Sequence, residues 1–189
     1  TRILRDPNIR IMIGSKTQTQ AEAFLKEVRT HFEQNEDLIR IFGDWKTSKD
    51  NVWNDREFTV NKRSIIKKEA TLTALGASGA VSKHFDVIIG DDLVGLENAR
   101  TEKQRSNLKE WFYSSLFPTL EPDGEIHILG TRYNPLDLYE DLITLREPPM
   151  RILFLIARQF NQILQVKELM NQGMEKNGIA SKLKMQPFV

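Results

Sequence analysis

Apolar residues recur along this chain with two different periods. Between Gln20 and Phe32 they stand at Ala21, Phe24, Leu25, Val28 and Phe32. Spacings of three and four predict an amphipathic helix, with Thr17 to Thr19 offering its N-cap. Thr101 to Leu116 predicts another helix, with Leu108, Trp111, Phe112 and Ser115 on one face, and Leu136 to Leu145 begins a short one. Shorter apolar runs read as strands: Ile9 to Gly14, Phe85 to Ile89 and Ile126 to Leu129, with weaker candidates at Phe58 to Val60, Ser64 to Ile66 and Ala70 to Leu75. Residues 35–55 are polar with isolated aromatics and read as a long loop. Gly76 to Gly79 and Glu121 to Gly124 read as turns. Strands alternating with helices predict an α/β fold with a parallel, helix-covered sheet. From Met150 the pattern changes to one long helix, apolar on a broad face from Ile152 to Met170 and broken at Gly173 or Gly178, then a short helix over Ile179 to Leu183. The expected organisation is an α/β segment, 1–145, and an all-α tail, 146–189.

Composition adds modest constraints. The chain has 189 residues, 40% hydrophobic and 28% charged, ordinary for a globular protein. The absence of cysteine excludes disulfides and Cys-based zinc sites. The longest apolar run, Ile152 to Ala157, is too short to span a membrane, so no membrane partner is expected. His31, His84 and His127 are too scattered for a metal site. Charge is uneven: residues 1–145 carry 20 Lys/Arg against 23 Asp/Glu, and residues 146–189 carry 7 against 3. The start lacks both an initiator Met and an apolar leader core, so the chain is expected to begin inside a longer protein.

Candidate chemistry gathers at two strand ends. Phe85 to Ile89 runs through Gly90 into Asp91 and Asp92. Two adjacent carboxylates after a buried strand repel each other unless something holds them. A Mg²⁺ ion bearing nucleotide phosphates is one such partner; an Asx turn or helix cap is the structural alternative. Gly130, Thr131 and Arg132 end another strand, where a small polar residue and an Arg could respond to a phosphate. The same three residues also make an ordinary turn. Lys83 follows the Gly76–Gly79 turn and could face a neighbouring subunit's nucleotide or simply be solvated.

The series Asp6-Pro7, Arg10-Ile-Met-Ile, Ser15, Thr17, Ala21, Phe42-Gly43, Trp53, Gly76 and Gly79, His84 to Asp92, Trp111, Leu116, Leu120 to Gly124, Ile126 to Pro135 and Asp137-Leu138 resembles the ATPase domain of the tailed-bacteriophage terminase large subunit, over about residues 1–145. The resemblance implies a partial RecA-like P-loop NTPase sheet with covering helices. It also implies a motor fragment that uses ATP and Mg²⁺ to drive double-stranded DNA into a procapsid in the cytoplasm of the bacterial host. The implied partners are the portal, the small terminase subunit and further copies in a ring. Asp91 would organise the metal, Asp92 would orient the attacking water, and Gly130 with Thr131 would couple hydrolysis to movement. Arg132 and Lys83 would act on the phosphates. The family's Gly-rich phosphate loop is absent, as Gly14-Ser15-Lys16 lacks its spacing, and so are the nuclease acids. The chain is therefore expected to be inactive alone, with an open strand position in its sheet.

The tail, Glu147 to Phe160 with Leu164 to Leu169, Gly173, Ile179 to Lys184 and Pro187 to Val189, resembles the delta subunit of the bacterial DNA polymerase III clamp loader, near its helical collar. That implies oligomerisation rather than catalysis. The residues alone also permit a helix-turn-helix DNA reader. A clamp-loader-like binding protein, and a composite remnant without activity, stand beside the motor reading.

Overall fold

The computed structural model describes residues 1–46, 52–77, 79, 82–145 and 150–151. The chain divides into two compact units, Thr1–Leu153 and Phe154–Val189. The second unit, which holds most of the expected tail helices, lies outside the described residues.

Strand β1 (Ile11–Ser15) follows a one-turn helix α1 (Arg2–Arg5) and sits inside the sheet. It pairs in parallel with β3 (Leu72–Gly76) on one side and β4 (Phe85–Asp91) on the other. β5 (Leu120–Leu129) runs parallel to β4, and β6 (Met150–Arg151) parallel to β5. The short β2 (Glu57–Phe58) is antiparallel to β3. The six-stranded order is β2-β3-β1-β4-β5-β6. The fold is thus mixed α/β with a mostly parallel sheet that ends at β6. On its outer side β5 meets β6 only at Ile126 and His127, so among the described residues the expected open strand position is covered at two residues alone. Val87 to Asp91 pair directly with Glu125 to Leu129.

Helix α2 (Gln18–Gln34) covers one face. Ala21, Leu25 and Phe32 bury against Ile11, Ile13, Leu72, Ala74 and Val87, the alternate positions that a strand turns to one side. On the other face Met12, Ile88, Ile126 and Ile128 have no exposed surface. Thr17 caps α2 by accepting the Gln20 N–H at 3.2 Å. Asn35 closes α2 through its own N–H to the His31 carbonyl and opens α3 (Glu36–Phe42) by accepting the Leu38 N–H. α3 replaces part of the expected loop. It buries no residue fully; Leu38 packs partly buried on the core, and one such contact leaves no core-facing period in the sequence.

Other departures have physical causes. The expected helix over Thr101–Leu116 is α5 (Glu102–Trp111), then a π turn (Phe112–Leu116) and a 3₁₀ turn (Phe117–Thr119). The wider turn puts both Phe112 and Leu116 at zero exposure, and Pro118 has no N–H to continue an α-helix. The Glu121–Gly124 turn lies within β5, opposite Asp86, where the β4–β5 register jumps. Ser64–Ile66 forms no strand and is exposed. Two further helices are α4 (Leu96–Ala99) and α6 (Leu138–Leu145).

An ionic cluster fastens the amino ends of β1, β4 and β5. Arg10 Nη2 donates to Asp86 Oδ1 at 2.6 Å, Arg10 Nε to Oδ2 at 3.0 Å, and Nη2 also meets Glu121 at 2.8 Å. Burial disfavours the Asp86 carboxylate, but the Arg10 hydrogen bonds outweigh it and hold its pKa below the ordinary value.

Candidate functional site

Ligands of open parallel sheets bind beyond the carboxyl ends of the strands. Here that edge carries a row of register partners: Gly76, Ser15, Asp91 and Leu129 on β3, β1, β4 and β5. Strand alternation places Ser15 and Asp91 on the α2 side with Ile13 and Ile89. Ser15 is fully buried and its Oγ has no hydrogen-bond partner. Asp91 is half-buried.

Asp92 adopts φ 48°, a left-handed conformation that Asp tolerates better than most residues. Its N–H donates to the Leu129 carbonyl at 2.9 Å. The turn sends Leu93, fully buried, back onto the face opposite α2. Gly90 and Gly14 leave space for it: an added Cβ at Gly90 would meet Leu93 Cδ1 at 2.7 Å, and one at Gly14 would meet Leu93 Cδ2 at 3.3 Å. Asp92 is thus a chain-reversal residue in this structure.

Tyr139 latches the edge from α6. Its hydroxyl accepts the Val94 N–H at 3.2 Å and donates to the Leu129 carbonyl at 3.4 Å. Burial pushes that hydroxyl's pKa well above the usual tyrosine range. Gly130 lies under the ring, where an added Cβ would stand 2.2 Å from Tyr139 Oη. Asp137, 1% exposed, fixes the start of α6. Its Oδ1 accepts the Tyr139 and Glu140 N–H groups and its Oδ2 those of Tyr133 and Asn134.

The sequence-predicted residues therefore separate. Asp91, Asp92, Gly130 and Thr131 share one edge. Arg132 turns to α6 and pairs with Glu140 at 2.7 Å. Lys83 precedes the opposite end of β4 and pairs with Glu57 on β2. Tyr139 was not singled out from sequence, and Ser15 and Asp137 entered only as positions of the family resemblance, with no role. Asp137 carries a readable signal, an Asp one position before a predicted helix. A lone Ser or Tyr carries none.

The helix N-terminus that opens beside Asp91 is that of α2, and it is filled. An added Cβ at Gly76 would lie 2.5 Å from Gln18 N and 3.0 Å from Thr17 C. The Gln18 side chain occupies the remaining space, its Nε2 donating to the Ala74 carbonyl and its Oε1 accepting the Gly76 N–H. Among the described residues, the N-terminus of α2 leaves no open backbone cradle for phosphates. Among the described residues no group of three or more His, Asp or Glu side chains could hold a metal ion. None of their helices is long and apolar enough to cross a membrane.

Comparison with known proteins places the similarity elsewhere. Residues 129–189 match the family model of the DNA polymerase III delta subunit, C-terminal domain. The DNA polymerase III subunit delta of Bacillus subtilis (strain 168) is 42% identical over 57 residues, which cover 30% of this chain and 16% of that protein. The match overturns the packaging-motor expectation, with its portal, small terminase subunit and ring of copies, in favour of the clamp-loader alternative. It also reaches further back than the tail. Leu129, Gly130, Thr131, Arg132, Asp137 and Tyr139, read above as one strand end and its latch, all lie within the stretch that is similar to delta.

Proposed function

We propose that this chain is part of a clamp-loader subunit of the DNA polymerase III delta type, a binding component of a bacterial, cytoplasmic replication assembly. The observation that carries this reading is the family match over residues 129–189, together with 42% identity to the Bacillus subtilis subunit over 57 residues. The apolar positions from Ile152 to Met170 give the matched stretch a face suited to packing on neighbouring subunits. For the preceding sheet we read a partial RecA-like scaffold without a phosphate loop. The parallel run β3-β1-β4-β5 and the carboxylate at its carboxyl edge support that reading. In this role Asp91, Asp92 and Gly130 shape the edge, and Tyr139 and Asp137 hold the matched segment against it. ATP and Mg²⁺ have no catalytic part.

The test is association. The full chain is mixed with the remaining subunits of a bacterial clamp loader and examined by sedimentation velocity. A complex that is lost on Leu164→Asp, with the sheet's thermal transition unchanged, is the expected result. Failure to join any clamp-loader subunit would overturn the reading.

A further inference from the structure

We draw no further inference here: the strongest candidate, the cleft of about 330 Å³ along the outer edge of β3 between Leu75, Phe85 and the buried Thr73, whose hydroxyl has no hydrogen-bond partner among the described residues, selects no ligand, because its cations are matched within the chain, Lys83 by Glu57 and Arg56 by Glu22, and the Gln18 amide already takes the Ala74 carbonyl and the Gly76 N–H that an added strand would need.

Discussion

At the scale of single residues, side chains that close the carboxyl edge make definite predictions. Tyr139→Phe strands the buried Val94 N–H, for which the Tyr139 hydroxyl is a partner. It should cost about 1–3 kcal/mol in a denaturant titration. Gly130→Ala drives a methyl group into the Tyr139 ring and should cost a similar ~1–3 kcal/mol as overpacking. Neither loss would be measured if α6 were detached from the edge in solution. Asp92→Gly should be tolerated or mildly stabilising, because glycine adopts positive φ without strain. A loss there of more than about 1 kcal/mol would show that the carboxylate itself is needed. The Asp86 carboxyl has a folded pKa below its unfolded one. Its contribution is therefore complete above the unfolded value, about 4, and is lost as pH falls through the folded value. Asp86→Asn should flatten the acid limb of a stability–pH profile, and an unchanged limb would exclude the Arg10–Asp86 pair as its source.

At the scale of elements, edge protection rests on one side chain. β2 pairs with β3 at only Glu57 and Phe58, and beyond it the Gln18 amide takes the place of a neighbouring strand at Ala74 and Gly76. Gln18→Ala should expose those backbone groups. Stability should fall by about 1 kcal/mol, and self-association should rise with concentration. An unchanged sedimentation profile would show that the edge is protected another way. The elements most legible in the sequence were those with a buried period. β1, α2, β4 and α5 show it, because Ile11, Ile13, Leu25, Val87 and Leu108 each face a core. α3 was not legible, since Leu38 alone packs on the core and no buried period results, and neither was the π turn, which depends on how Phe112 and Leu116 fit one core. Ser64–Ile66 misled because an apolar pair on an exposed loop has the same composition as a strand. Of the candidate site, the Asp91–Asp92 strand end could be read from the sequence. The closure of its surroundings could not, because it depends on Gln18, Gly76 and Tyr139 meeting across residues remote in sequence.

At the scale of the whole molecule, an α/β sheet runs into a stretch similar to the delta C-terminal domain, and the similarity begins inside the sheet at the last residue of β5. Motif order in residues 1–145 had suggested a motor, yet a strand-end carboxylate shows only where a ligand could sit. The N-terminus of α2, one place where phosphates could sit, is filled by Gln18 packed on Gly76. The account accordingly expects no ATP turnover above background, and none that Asp91→Asn would remove. Its central claim is that the segment from Leu129 onward makes this chain an assembly component of the clamp-loader kind. The most direct measurement is sedimentation velocity of the full chain titrated with the other clamp-loader subunits. The account predicts a saturable complex of defined stoichiometry that Leu164→Asp abolishes. A chain that sediments alone at every concentration of those subunits would contradict it.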